Sequence, residues 1–134
     1  MDNTALAQII GRIPELKYRY MGSFAANQID NVSHNCFAIV NTQKSHQLGE
    51  HWILVADING QKYYADSLGN PIKKYKNLRK FQKYKRVVDR RVQQRSNLCG
   101  LHAIFAAWRL YTTPYKTLCN INDVHVLSFC SQFL

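Results

Sequence analysis

The stretch His51-Trp52-Ile53-Leu54-Val55-Ala56-Asp57-Ile58-Asn59-Gly60-Gln61-Lys62-Tyr63-Tyr64-Ala65-Asp66 reads as a β-hairpin. Two runs rich in β-branched and aromatic residues flank Asn59-Gly60, the pair favoured in a two-residue type I′ turn because both central positions take positive φ. That turn sets the register. If Ile58 pairs with Gln61, then Ile53 faces Asp66 and His51 faces Leu68. Side chains on one face of a strand alternate, so His51, Ile53 and Asp66 share a face. His51 and Asp66 are then diagonal neighbours, roughly 7–8 Å apart at the backbone. An aspartate spans that gap to an imidazole nitrogen and fixes its tautomer. Asp57 lies on the same face but about 20 Å from His51 at strand rise, and is a poor partner for it. A one-residue slip would undo the pairing.

Outward from the hairpin, Cys36–Val40 is a short apolar run that reads as a buried strand, followed by a polar loop over 41–50. Residues 17–32 are mixed and read as loop or short edge structure. Asn3 or Thr4 caps a first helix with Leu6, Ile9, Ile10 and Ile13 on its apolar face, closed by Gly11 and Pro14. Downstream, Gly69-Asn70-Pro71 is a turn. Ile72, Tyr75, Leu78 and Phe81 or Gln82 predict a basic amphipathic helix over 72–83, and Arg86 through Val92 a returning strand. Ser96 or Asn97 is placed to cap the strongest helix, opened by Leu98-Cys99-Gly100-Leu101 and striped by Leu101, Ile104, Phe105 and Trp108; Pro114 ends it. A last helix runs from Asn122 or Asp123, with Val126, Leu127, Cys130, Phe133 and Leu134 on one face. At 134 residues the chain fits a single domain over 1–134.

The composition, 46% hydrophobic and 19% charged, suits a globular core and excludes a disordered chain. No apolar run is long enough to span a bilayer, and no opening segment reads as a signal peptide, so a soluble chain that is not secreted is expected. Four cysteines (Cys36, Cys99, Cys119, Cys130) without CxxC pairs indicate neither a zinc site nor a disulfide scaffold. The formal net charge is +10, and eleven of the 18 basic residues fall between Lys73 and Arg95, where Asp89 is the sole acid. Such a strip (Lys73, Lys74, Lys76, Arg79, Lys80, Lys83, Lys85, Arg86) either attracts a polyanion such as DNA or serves only as a solvated face. No motif supports sequence-specific readout.

Cys99 stands where a helix begins, and unsatisfied N–H groups there favour a thiolate. A lone cysteine at such a place is by itself more often a small buried hydrophobe. Gly100 removes a side chain beside it, which would let a substrate carbonyl approach. Thiol chemistry further needs a base, a group to orient that base, and donors for an oxyanion. His51 and Asp66 supply the first two. Among the other histidines, His34 and His46 lie in polar loops and His125 near the end. His102 is one helical turn from Cys99 with no acid placed by the sequence to orient it, and reads as structural. Trp52, beside the base, is a sheet-packing residue or a lid over a narrow substrate cleft.

Three blocks together resemble the adenovirus protease family of cysteine proteases. Residues 36–52, CFAIVNTQKSHQLGEHW, are similar to the stretch of that family ending in His-Trp; residues 63–69, YYADSLG, to the strand that delivers its acid; and residues 92–101, VQQRSNLCGL, to its Gln…Ser-Asn…Cys-Gly-Leu block. The resemblance runs from about Tyr20 to Trp108 in the order His, Asp, Gln, Cys, an order shared with ubiquitin-like-protein proteases, which often have Asp-Ser at the acid. It implies an α+β fold with a small sheet packed on the nucleophile helix. It also implies catalysis by Cys99, His51 and Asp66, with a glutamine side chain and the Cys99 N–H holding the oxyanion.

The glutamine is Gln93 or, second, Gln94. Narrow clefts favouring glycine near the scissile bond come with the resemblance. So do viral precursor proteins as substrates, virion or nuclear location, and activation by DNA and a short viral peptide. No metal or other cofactor is implied. No cysteine lies between Cys36 and Cys99, so disulfide attachment of an activating peptide is not carried over. Nor is any groove built from the family's C-terminal part. The rival expectations are a deconjugase acting after the Gly-Gly tail of a ubiquitin-like protein, and a basic DNA-binding virion protein on a protease scaffold.

Overall fold

The structure, a computed structural model, describes residues 2–45, 51–114 and 116–134. His46 and the rest of the 46–50 segment lie outside the described residues. The hairpin forms as its turn dictates: strand β3 (Trp52–Ile58) pairs with β4 (Gln61–Ala65), Ile58 opposite Gln61 and Leu54 opposite Ala65. Asn59 (φ 54°) and Gly60 (φ 92°) both take positive φ, as a type I′ turn requires. Asp57, buried in the sheet, tightens it by accepting from Gly60 N at 2.9 Å and Asn35 N at 3.0 Å.

β2 (Phe37–Asn41) runs antiparallel to β3, and β1 (Tyr20–Phe24) and β5 (Lys85–Arg86) add parallel edges, giving a five-stranded sheet in the order β1-β2-β3-β4-β5. β2 and the interior of β3 are buried on both faces, which is why they read as continuous apolar runs rather than alternations. Against one face lie three helices: α1 (Asn3–Ile10), α2 (Cys99–Thr112) and α3 (Asp123–Ser131). They share a core with Phe37, Ile39, Leu54 and Ala56. The other face, Ala38, Val40, Ile53, Val55 and Tyr64, is covered by residues 26–32 and 72–81. The α+β expectation holds.

Three local expectations are corrected. Residues 72–83 form no α-helix but two 3₁₀ pieces, Ile72–Lys74 and Lys76–Phe81, separated by an extended Tyr75 and kinked at Leu78. Ile72 anchors the first piece and Leu78 and Phe81 the second, and the extended Tyr75 between them breaks the continuous face that an α-helix would need. The predicted strand over 86–92 shrinks to Lys85–Arg86. Beyond it Val92 N and Gln93 N both turn to the Ser67 carbonyl (2.9 and 3.0 Å) instead of continuing a ladder. The caps also differ. Asp2 caps α1 through Ala5 N, and α2 has no side-chain cap, since Ser96–Leu98 is a 3₁₀ turn leading into it.

Candidate active site

The hairpin delivers two groups to one end of the sheet. His51 immediately precedes β3 and Asp66 immediately follows β4. Both are buried, and His51 Nε2 lies 2.6 Å from Asp66 Oδ1. The third group comes from the helical layer: Cys99, the first residue of α2, hydrogen-bonds the His51 ring. With Nε2 committed to Asp66, Nδ1 is the nitrogen left for the thiol. Cys99, His51 and Asp66 therefore form a continuous buried line, of which the pairing register anticipates the His51–Asp66 contact.

Charge on this line is set by opposing effects. Burial pulls the His51 pKa down, but hydrogen bonds to Asp66 and Cys99, with their negative charges, outweigh it and push it up to about 9. Burial raises the Cys99 thiol, yet the His51 hydrogen bond, the Trp52 N–H, the His51 charge and the Gly100 N–H bring it below the ordinary thiol range. Asp66 is likewise held below its usual value, burial being outweighed by His51, Tyr75 and the Leu68 N–H. Both shifts favour a thiolate–imidazolium pair over the neutral forms.

Two groups that the sequence reading missed complete the acid. Tyr75 OH donates to Asp66 Oδ2 at 2.5 Å, with its ring 6.2 Å from that of His51, and Asn70 Nδ2 donates to the Tyr75 hydroxyl at 2.9 Å. Leu68 N donates to Asp66 Oδ1 at 2.9 Å. Tyr75 was legible only as one more apolar position. Its extended backbone, the break between the 3₁₀ pieces, is what turns its hydroxyl to the carboxylate.

The two glutamines part company. Gln93 is fully buried: Ser67 Oγ donates to its Oε1, and its Nε2 donates to the Arg95 carbonyl at 2.7 Å. Gln94 is exposed, and its Oε1 accepts from Asp123 N at 3.2 Å. His102 does have an acid, contrary to expectation. Its Nε2 lies 2.8 Å from Asp123 Oδ1, brought across by the packing of α3 on α2. No local signal could have found that pair, which is 21 residues apart.

Trp52 is half-buried against the helical core and borders an open groove of about 260 Å³ with Asn3, Gln28, Asn41 and Gln43. Behind Cys99, between Trp52, Ser67, Val92 and His102, is a cavity of only about 10 Å³, room for a single water and too small for a substrate side chain. Gly100 is buried, and a Cβ there would meet Leu6 Cδ2 at 2.8 Å. The missing side chain therefore makes room for Leu6 of α1.

The basic strip is exposed but not uniform. Lys80 Nζ donates to the Ala26 and Ile29 carbonyls (2.5 and 2.6 Å), and Arg86 binds the carbonyls of Val88, Gly69 and Asp89. Lys74 reaches Asn70 Oδ1 at 3.4 Å.

No protein-family model matches this chain, and no curated protein does. Among solved structures, it resembles a crystal structure of the ASFV pS273R protease with a TM-score of 0.57 at 19% identity, over 88% of this chain and 61% of that one. A selenomethionine crystal structure of the same protease gives a TM-score of 0.51 at 23% identity, over 77% and 46%. The chain thus spans less than two thirds of the protease it resembles. The likeness is one of fold, and it does not single out the adenovirus protease family.

Proposed function

We propose that the protein is a cysteine endopeptidase acting through Cys99, His51 and Asp66. The observation that carries this reading is the buried Cys99–His51–Asp66 line, with its 2.6 Å imidazole–carboxylate contact and a thiol held below its ordinary pKa. The thiolate attacks an amide carbonyl, and the C–N bond breaks as imidazolium Nδ1–H gives its proton to the leaving amine. Neutral His51 then takes a proton from water, whose oxygen attacks the thioester carbonyl; the C–S bond breaks, the acid leaves, and Cys99 thiolate and imidazolium are restored. Asp66, fixed by Tyr75 and Leu68, keeps Nε2–H oriented and the imidazolium stable.

For the oxyanion the Cys99 N–H and Gln93 are the favoured donors. Gln93 is preferred to Gln94 because its amide is buried with Oε1 capped by Ser67, and Nε2 has one hydrogen beyond its bond to Arg95. Protein substrates follow from amide chemistry, with the groove beside Trp52 as their approach. The resemblance to adenovirus proteases supports viral precursors cut near glycine at sites of virion assembly. For a DNA contact the support is Lys73, Lys76, Arg79, Lys83 and Lys85, exposed cations with no hydrogen bond or ion pair among the described residues.

A peptide vinyl sulfone should label Cys99 alone, and Cys99→Ala should abolish hydrolysis of a Gly-Gly fluorogenic peptide. Hydrolysis surviving in that variant would sink the reading. Parallel assays on precursor peptides and on ubiquitin-like adducts separate an endopeptidase from a deconjugase.

A further inference from the structure

We propose that Asp123 and His102 position the 93–95 loop, and through it the Gln93 amide, for the reaction at Cys99. The inference rests on the peptidase reading above. Asp123 is the first residue of α3, yet it does not cap that helix: Asn122 does, accepting from His125 N at 3.1 Å. The buried Asp123 carboxylate instead reaches out of its own helix. It accepts from Gln94 N at 3.1 Å, Arg95 N at 2.8 Å and His102 Nε2 at 2.8 Å, and Asp123 N donates back to Gln94 Oε1.

The Arg95 residue is the pivot. Its N–H is fixed by Asp123, and its carbonyl accepts the Gln93 amide at 2.7 Å. Gln93 is held from the other side by Ser67, through both its side chain and its backbone N–H. His102 closes the circuit, since it sits one turn along α2 from Cys99 on the same side of the helix. One carboxylate thus ties the loop carrying Gln93 to the helix carrying the nucleophile.

His102 suits this role better than that of a base. Burial lowers its pKa, outweighing Asp123, so it stays a neutral, directional N–H donor. It is a positioning residue, and so is Asp123.

The test compares Asp123→Ala with Asp123→Asn, and His102→Ala with His102→Gln, whose amide nitrogen replaces Nε2. Peptide hydrolysis is normalised to Cys99 titrated by a thiol-reactive inhibitor, beside the pH profile of Cys99 alkylation and the hydrogen exchange of the Gln94 and Arg95 amides. Displacing an oxyanion donor should lower kcat about 10- to 100-fold while KM stays within about threefold. The alkylation profile should not move, exchange at Gln94 and Arg95 should quicken, and His102→Gln should recover most of what His102→Ala loses. An unchanged kcat per titrated thiol in Asp123→Ala overturns the proposal, as does a loss that tracks a shifted alkylation profile. Should Asp123→Ala not fold, the His102 pair decides by the same readouts. Absence of hydrolysis by the wild-type chain would fail the peptidase reading. The clamp would then still be judged by amide exchange in His102→Ala, and slow exchange there would overturn it.

Discussion

Cys99 and His51 stand in surroundings where burial alone would keep both neutral, since it raises a thiol and lowers an imidazole. Their mutual hydrogen bond and Asp66 reverse both tendencies. The pair stays charged above the lowered Cys99 pKa and below that of His51, about 9. Above that value His51 loses the proton that the leaving amine needs in the proposed hydrolysis. A plot of kcat/KM against pH should therefore show its alkaline limb near 9, and Asp66→Asn should move that limb downward. A limb that stays in place would mean Asp66 is not what holds the imidazolium. Tyr75→Phe isolates the next link, because it deletes the 2.5 Å bond to Asp66 while keeping the ring beside His51. Hydrogen bonds to charged groups contribute about 1.5–3 kcal/mol, part of which His51 and Leu68 retain. A loss of roughly tenfold in kcat/KM is expected, with little change in Cys99 labelling at neutral pH; wild-type turnover would make Tyr75 redundant.

Elements position these residues through a few close approaches, and two glycines of the hairpin region separate conformational from steric need. At Gly60 (φ 92°) an added Cβ would meet nothing within 4 Å, whereas at Gly69 (φ 73°) it would lie 2.3 Å from the Arg90 backbone carbon. Gly60→Ala should cost about 1–2 kcal/mol, the left-handed penalty alone. Gly69→Ala should cost more in urea denaturation and also impair turnover, since it pushes on the segment leading to Gln93. Equal costs would mean the Arg90–Arg91 backbone yields freely. Gly100 tests the α1–α2 contact in the same way. If its role is to admit Leu6, the activity and stability missing in Gly100→Ala should return in the Gly100→Ala, Leu6→Val double variant. If the glycine serves substrate, stability alone should return. At this scale the sequence was legible where one local rule acts. Asn59-Gly60 dictates a turn, the turn dictates register, and register brings His51 to Asp66. It failed at 72–81, where apolar spacing suggests one continuous helix but the backbone is extended at Tyr75, the break that turns the Tyr75 hydroxyl to Asp66.

Across the whole molecule, what was hidden is what only three-dimensional packing brings together. Asp123 reaches His102 and the 93–95 loop because α3 docks on α2 through Phe105, Trp108 and Phe129, and no spacing in the chain announces that. Charge, by contrast, is legible as a total but not as a set of roles. Of the basic strip, Lys80 and Arg86 hold backbone carbonyls, while Lys73, Lys76, Arg79, Lys83 and Lys85 make no such bonds among the described residues. The two groups should therefore answer differently to substitution. Lys80→Ala loses charge-assisted bonds to Ala26 and Ile29 and should cost about 1–2 kcal/mol in thermal or urea unfolding. Replacing the five others by glutamine should leave stability within about 0.5 kcal/mol, as for unpaired surface positions. If those five meet a polyanion, the same variant should weaken binding to duplex DNA. It should also flatten the dependence of log K on log salt by about 0.9 for each phosphate that the protein no longer neutralises. An unchanged slope would assign the strip to solvation alone.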